Sequence, residues 1–320
     1  MQELDLTIVV PVYDEEASLD ELARQIREVC DGQGWAFEVL MIDDGSHDAS
    51  WSVIQRIHAA DPRFNGIRFR RNYGKSAALS VGFARARGRY VVTMDADLQD
   101  DPHELPGLVA MLDEGNDLVS GWKRRRHDPL SKTIPSRLFN FVMRVISGIP
   151  IHDFNCGLKA YRREVAQHVV VYGELHRYIP MLAKWEGYSR IGEKVVQHHP
   201  RRYGHTKFGV ERLIRGFLDL ISVFFLTRFA ARPMHFFGIL GTLSFAGGFA
   251  IGLWLTIQKL FFNIYISNRP ILLLGLLLML LGAQFFSTGL LAEMVIVPRM
   301  TRTEAYDVAE TLESPVAEPA

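Results

Sequence analysis

Two stretches of this 320-residue chain, Met234 to Ile257 and Ile271 to Ala292, contain no Asp, Glu, Lys or Arg. At about 1.5 Å per helical residue, each is long enough to cross a hydrocarbon core of roughly 30 Å. The run from Ile271 to Leu281 is interrupted only by Gly275, which argues for a transmembrane helix pair over a buried soluble hairpin. Zero formal net charge and 48% hydrophobic residues average over this division and conceal it. Ahead of the pair lies enough sequence for one large α/β domain with a substantial core.

The acidic start, Met1 to Asp5, is followed by an apolar run of only strand length, so no secretory leader is read and a cytoplasmic domain is expected. A helix pair returns the chain to its starting side. There Arg228, Arg232, Arg299 and Arg302 outnumber Lys259 and Arg269 of the opposite loop, a bias that agrees with a cytoplasmic face. Cys30 and Cys156 lack disulfide or metal-ligand spacing, which suits a reducing compartment and buried thiols. Between Phe208 and Arg232, apolar clusters alternate with Glu211, Arg212, Arg215, Asp219 and Arg228, as in helices lying on a membrane surface. The expected division is a globular domain over 1–207, juxtamembrane amphipathic helices over 208–233, the helix pair over 234–298 and a disordered polar tail over 299–320.

Before the pair, strand-like and helix-like periods alternate. Leu6 to Val12 reads as a strand, and Ser18 with Glu21 has the spacing of a capping box for the next helix. Phe37 to Ile42, the turn Asp43-Asp44-Gly45-Ser46 and a helical period from Ala49 to Ala60 repeat the unit. Gly66 to Phe69 is a weaker third strand, followed by Arg71-Asn72-Tyr73-Gly74-Lys75 and a small-residue helix to Arg87. The apolar run from Tyr90 is the fourth. This alternation implies right-handed crossovers and a parallel sheet covered on both faces.

The fourth run stops at Asp95 and Asp97. In extended chain these carboxylates point the same way and can approach one hard cation, with Gln99 two residues on. Mg²⁺ or Mn²⁺ held by few protein oxygens keeps positions open for substrate phosphates. Asp100 and Asp101, just before Pro102, read instead as an acidic cap on the next helix. Tyr13, Glu15, Asp43, Asp44, Asn72, Lys75, Asp95 and Asp97 all follow strands and converge on the sheet edge where open α/β folds bind nucleotides. No G-x-G-x-x-G follows the first strand and no Walker lysine motif occurs, so dinucleotide redox chemistry and nucleotide triphosphate hydrolysis lose support.

The densest basic run, Gly121 to His127, leads into a helix-like stretch from Ser131 to Ile146 that carries Arg137 and Arg144. On charge alone it is a solvated loop or a nucleic-acid patch. The membrane anchor and the lack of basic excess disfavour nucleic acid, whereas arginine forks beside a bilayer suit a lipid phosphate. Met181, Leu182 and Trp185 have the helical spacing of core residues, and His198 and His199, next to Pro200, read as structural.

The segments Val10 to Glu16, Asp43 to Ser46, Arg71 to Lys75 and Asp95-Ala96-Asp97-Leu98-Gln99-Asp100-Asp101-Pro102 resemble inverting family 2 glycosyltransferases. With the helix pair, nearly the whole chain is similar to the polyprenyl-phosphate group, which includes dolichol-phosphate mannose synthase and bacterial undecaprenyl-phosphate glucosyltransferases. The resemblance implies a glycosyltransferase-A fold, Rossmann-like with a mostly parallel sheet, followed by juxtamembrane and transmembrane helices. It implies transfer of a hexose from a UDP- or GDP-sugar to undecaprenyl or dolichyl phosphate, with inversion, at the cytoplasmic face of a bacterial inner membrane.

By that resemblance Pro11, Tyr13, Glu15, Asp43, Asp44, Lys75, Asp95, Ala96 and Asp97 surround the nucleotide-sugar, and Asp95, Asp97 and Gln99 hold the cation. Arg202 and Lys207, in the loop Arg201 to Phe208, close on the diphosphate; His205 departs from the acidic residue often found there. Arg124 and Arg137 receive the lipid phosphate, with Arg125 and Arg126 as alternatives. Asp153, in His152-Asp153-Phe154-Asn155-Cys156-Gly157-Leu158-Lys159, is the candidate base and with Asp97 the catalytic pair. An ionised phosphate needs little deprotonation, so positioning the acceptor loop or forming a simple turn remain alternative roles for Asp153. A processive synthase of the same superfamily would add a Gln-x-x-Arg-Trp block and more spans, and neither is present. A noncatalytic membrane adaptor that binds nucleotide-sugars stays open, as does the oligomeric state.

Overall fold

The computed structural model describes residues 4–124, 130–173, 175–199, 233–262, 270–299 and 308–312. These form two units, one built on a sheet and one made of the two apolar helices. In the first, β1 (Leu6–Val12), β2 (Phe37–Asp43), β3 (Phe64–Phe69) and β4 (Tyr90–Thr93) pair in parallel, with Val12 beside Asp43 and Asp43 beside Arg68. Every residue of β2 and β4 is buried, which is why these runs are apolar almost throughout and do not alternate. The charged exceptions are Asp43, at the strand end, and Glu38, which accepts from Thr7 Oγ1 at 2.7 Å and from the Arg87 backbone N–H at 2.9 Å and is ion-paired with the Arg87 guanidinium.

The connecting helices are α1 (Leu19–Gln33), α2 (Ser50–Ala60) and α3 (Lys75–Arg85). α1 buries Leu19, Leu22, Ala23, Ile26, Val29 and Cys30 on one stripe and ends at Gly34, whose φ of 68° supplies the left-handed cap. The expected capping box does not form. The Ser18 hydroxyl donates backward to the Glu15 carbonyl at 2.9 Å, and Glu21 pairs with Arg24.

The sheet is mixed. Its order is β7-β5-β6-β4-β1-β2-β3-β8, with β5 (Leu118–Trp122), β6 (Lys159–Arg162), β7 (Ile191–Val195) and β8 (Val308–Leu312). β6 runs antiparallel to both β4 and β5, whereas β5 and β7 are parallel. This reversal places the start of β6 beside the end of β4, with Lys159 opposite Thr93. The segments that follow β1 to β5 and β7, and the one that precedes β6, therefore all open on the same edge.

α4 (Leu105–Asp113), α5 (Leu130–Ser147), α6 (Arg163–His168) and α7 (Ile179–Trp185) complete this unit. α5 spans the stretch that the sequence reads as helical. In α7, Met181 is core as expected, but Trp185 is 43% exposed because it lies on the helix's last turn, past the packed face. Cys30 and Cys156 are buried thiols. The expected disorder over 299–320 does not hold at Val308–Leu312, which adds β8 antiparallel to the free edge of β3, from Gly66 opposite Leu312 to Phe69 opposite Val308. An unpaired strand edge offers backbone donors and acceptors, and a polar segment can satisfy them without an apolar pattern. The juxtamembrane stretch 208–232 lies outside the described residues.

The second unit pairs α8 (Pro233–Phe262) with α9 (Pro270–Arg299), each beginning on a proline, which costs a first-turn helix nothing. Both are long and apolar enough to cross a membrane by length and composition, and only 11% of each apolar window is buried. They meet along glycines. A Cβ on Gly248 would lie 2.4 Å from the Gly275 carbonyl oxygen, and one on Gly241 would lie 2.8 Å from that of Gly282. Small residues at such contacts let two backbones approach where apolar burial gives no net drive, as in lipid.

Candidate active site

The loops after β1 and β2 are tied to each other. The Asp14 N–H donates to Ser46 Oγ at 3.0 Å while Asp14 Oδ1 accepts from the His47 N–H at 2.8 Å. The Glu15 N–H donates to Ser50 Oγ at 3.0 Å, and Glu16 accepts from the Ala49 N–H at 2.8 Å. Asp14 adopts φ 55°, a conformation that an aspartate tolerates better than most residues. This fixes the Tyr13 ring 6.3 Å from His47, edge to face, in the loop that follows β1.

Asp43 and Asp44 are both buried. Asp43 accepts from the Ser46 N–H at 2.9 Å and lies 3.4 Å from the Arg68 guanidinium. Asp44 accepts from the backbone N–H groups of Tyr73 at 2.7 Å and Gly74 at 2.8 Å, and so holds the loop that leads to Lys75. Burial, assisted by the neighbouring Asp43 charge, raises the Asp44 carboxyl against these two bonds. Gly45, at φ 71°, allows the turn to lie against Arg71, where a Cβ would come within 2.5 Å of backbone.

Beyond β4 the chain buries Met94, Ala96, Leu98 and Asp100 and leaves the two proposed cation carboxylates, Asp95 and Asp97, and Gln99 half-buried. Leu98 has φ 60°, a strained conformation for a γ-branched side chain, as the segment turns. Asp95 is ion-paired with Lys75 at the start of α3. Burial alone would raise the Asp95 carboxyl, but the charges of Lys75 and Lys123 prevail and hold it down to about 2. Two carboxylates and an amide make a hard oxygen set suited to Mg²⁺ or Mn²⁺. Among the described residues no group of three or more His, Cys, Asp or Glu could hold a metal, so a cation at Asp95 and Asp97 would need further oxygens from substrate and water.

The segment before β6 closes on the same carboxylate. A Cβ on Gly157 would meet Asp95 Oδ2 at 2.4 Å, and the Gly157 carbonyl accepts from Thr93 Oγ1 at 2.8 Å. Asp153 is 1% exposed. Its Oδ1 accepts from the Asn155 N–H at 3.1 Å and its carbonyl from Ser120 Oγ at 3.2 Å, which anchors the loop to β5.

A model of glycosyl transferase family 2 matches residues 7–170, the span that holds this edge from β1 to α6. The chain belongs to that family. It is 38% identical across 299 residues to dodecaprenyl-phosphate galacturonate synthase of Rhizobium johnstonii, covering 92% of this chain and 88% of the relative. It is 36% identical across 293 residues to undecaprenyl-phosphate 4-deoxy-4-formamido-L-arabinose transferase of Shewanella sediminis, covering 91% and 86%. The fold matches that of glucosyl-3-phosphoglycerate synthase from Mycobacterium tuberculosis in complex with Mn²⁺ and UDP-glucose, with a TM-score of 0.53 and 20% identity over 70% of this chain and 79% of that one.

In this family 2 domain the basic run divides. Lys123 is half-buried, its side chain 13% exposed, and pairs with Asp100 at 2.8 Å. Burial by itself would lower the Lys123 ammonium, but Asp100 more than compensates and raises it above the usual lysine range. Asp100 therefore does not cap the next helix; Asp101 does, accepting from the His103 N–H at 2.9 Å. Arg124 is exposed beside Trp122, its guanidinium 5.8 Å from the ring, and Trp122 stacks at 4.1 Å on His152, which Glu193 holds at 2.7 Å. His199 reaches Asp101 at 3.1 Å and donates its N–H to the Gln99 carbonyl at 3.0 Å, a structural tie between the β7 end and the cation segment.

Tyr13, Glu15, Asp43, Asp44, Lys75, Asp95, Ala96, Asp97, Gln99, Arg124 and Asp153 thus lie at one edge, with Pro11 in β1 just before it. Arg125, Arg126, Arg202 and Lys207 lie outside the described residues, and so does the side chain of Arg137, whose backbone is in α5. Sequence reasoning missed Lys123, Asp100, Lys159, Gly157 and His176 as parts of this edge. Lys159, buried and donating to the Cys156 carbonyl, is pushed down by burial. For Lys123 a signal existed, since it directly follows the apolar run Leu118–Trp122.

Proposed function

We propose that this chain transfers a sugar from a UDP- or GDP-sugar to the phosphate of a polyprenyl phosphate, with inversion and with Mg²⁺ or Mn²⁺, as an integral protein of a bacterial inner membrane whose catalytic domain faces the cytoplasm. The observation that carries this is the similarity to two polyprenyl-phosphate sugar transferases over 92% and 91% of the chain, together with its apolar helix pair.

Asp95, Asp97 and Gln99 present hard oxygens and would hold the cation, which when bound neutralises charge developing on the diphosphate. Lys75, paired with Asp95, lies where a diphosphate oxygen can take over its ammonium. Tyr13 offers a stacking face to the base, and Pro11, Glu15 and Asp43 shape the nucleoside pocket beside it. Asp44 acts through the Lys75 loop that it holds. Arg124 and Arg137 receive the lipid phosphate, and Arg202 and Lys207 add positive charge to the leaving group.

A lipid phosphate oxygen attacks the anomeric carbon, the bond from that carbon to the diphosphate breaks, and the nucleoside diphosphate leaves with the electron pair. A phosphate monoester has its second pKa at about 6, so the attacking oxygen needs no base near neutral pH. Buried Asp153 then serves to shape the loop that sets Gly157 against Asp95.

The test is a panel of labelled UDP- and GDP-sugars incubated with purified protein and polyprenyl phosphate, with lipid products identified by mass. A polyprenyl-phosphate sugar with release of nucleoside diphosphate is expected, and Asp97→Asn should abolish metal-stimulated transfer. Binding of donor without turnover across the panel would leave the adaptor reading in its place.

A further inference from the structure

His176 lies outside every motif assigned above, yet it faces the same edge. It sits on the single turn Leu175–Arg177, and this turn is pinned to the start of α3 by one side chain. The His176 backbone N–H donates to Ser76 Oγ at 3.2 Å, and Ser76 Oγ lies 3.1 Å from His176 Nδ1. Ser76 directly follows Lys75, the partner of Asp95. His176 is near enough to Lys75 and Asp95 for both charges to act on its ring.

These two contacts favour one tautomer. Ser76 Oγ accepts from the His176 backbone, and among the described residues its own proton has one acceptor, Nδ1 of the same histidine. With Nδ1 accepting that proton, the ring proton resides on Nε2. Among the described residues nothing accepts from Nε2, and the side chain is only half-buried. Burial, followed by the charges of Lys75 and Arg177, lowers the imidazole below the usual histidine range, which favours the uncharged ring. An uncharged donor beside Lys75 adds a hydrogen bond to an oxyanion without repelling the ammonium.

We propose that His176 presents its Nε2–H to a phosphate oxygen of a bound substrate, in the tautomer favoured by Ser76, and is thus a substrate-binding residue of this site. The inference rests on the reading that the edge takes phosphorylated substrates. Two sources share that chemistry, the diphosphate of the nucleotide-sugar and the phosphate of the lipid.

The experiment compares purified full-length wild type, His176→Gln, His176→Asn and Ser76→Ala by equilibrium binding of nucleoside diphosphate and of polyprenyl phosphate, with KM for donor and acceptor measured alongside. The glutamine amide reaches the position of Nε2, whereas the asparagine amide reaches only that of Nδ1. His176→Gln should retain most of the affinity, while His176→Asn should weaken one of the two ligands by about 10- to 100-fold, the range for a hydrogen bond to a charged group. Ser76→Ala should weaken the same ligand in the same direction by releasing the tautomer. Loss confined to nucleoside diphosphate and donor KM assigns the contact to the diphosphate; loss confined to the lipid ligand and acceptor KM assigns it to the lipid phosphate.

The opposite pattern, with His176→Asn retained and His176→Gln lost, would make the histidine a mere anchor for the turn and overturn the proposal. So would unchanged binding of both ligands in folded His176→Asn. If that variant does not fold, unchanged binding in Ser76→Ala overturns it equally. A wild type that binds both ligands and transfers no sugar would refute the proposed function, while the binding comparison would still decide the role of His176.

Discussion

Gly157→Ala tests how closely the cation carboxylate is positioned. The new methyl would lie 2.4 Å from Asp95 Oδ2 and 2.7 Å from Cγ, against 3.4 Å for ordinary contact, so the carboxylate must move by about 1 Å. It can do so, because the Asp95 side chain is 33% exposed and its partner Lys75 is flexible. The φ of Gly157 lies outside the left-handed range, so alanine adds bulk there without that backbone strain. Stability should fall by about 1–3 kcal/mol, the usual cost of overpacking. A misplacement of about 1 Å in a catalytic group costs on the order of 100-fold in rate, or about 2.7 kcal/mol in the barrier. Turnover should thus fall about 100-fold with a weaker requirement-saturating metal response, read from product formation over a Mn²⁺ or Mg²⁺ titration, while thermal unfolding shows a folded protein. Gly32→Ala is the matched control: its Cβ meets nothing within 4 Å, and in the last turn of α1 it should be neutral or slightly stabilising, by less than the ~1 kcal/mol of a helix interior. Wild-type turnover and metal response in folded Gly157→Ala would refute the reasoning, since the carboxylate would then be free to function displaced.

Asp44→Ala removes the acceptor for the Tyr73 and Gly74 N–H groups and should destabilise the domain by about 3 kcal/mol in denaturant unfolding, the loop to Lys75 losing hydrogen-exchange protection first. Gly248→Leu places a side chain where even a Cβ lies 2.4 Å from the Gly275 carbonyl, so α8 and α9 must separate; cysteine pairs across the seam should cease to cross-link in detergent or bilayers. Burial pushes the Cys30 thiol up to about 12 from 9.0, and the Cys156 thiol likewise. Because the folded state holds these protons more tightly, their contribution to stability is complete below pH 9 and is lost as pH rises toward 12. Thiol reagents at pH 8 should leave both cysteines unmodified until denaturant is added. Truncation before Val308 bares the β3 edge and should lower the melting temperature and unprotect the Gly66–Phe69 amides; unchanged protection would show that β8 contributes nothing to that edge.

Much of the candidate site was legible in sequence because strand ends in a parallel sheet share an edge, so any acidic or polar residue just after a buried apolar run falls there. Asp95, Asp97, Asp43, Asp44 and Lys75 were found in this way. The signal does not distinguish a residue that meets substrate from one that holds the loop beside it. Asp44 shows the difference: its carboxylate faces two backbone N–H groups of a segment some thirty residues on. Lys123 read as one of several surface cations, but β5 carries it inward to Asp100, which itself read as a helix cap.

Local pattern alone determined the two apolar helices, the four alternating strand and helix units and the order of the chemical motifs, because uncharged length, periodicity and strand-end residues are properties of neighbouring positions. Pairing between distant segments was decided only by tertiary structure. β6 turns antiparallel between β4 and β5 and brings Gly157 against Asp95, β8 completes the β3 edge, and Ser76 orients His176 across a separation of 100 residues. Such contacts depend on which edges and faces remain unsatisfied once the local elements have formed, and no window of sequence carries that information.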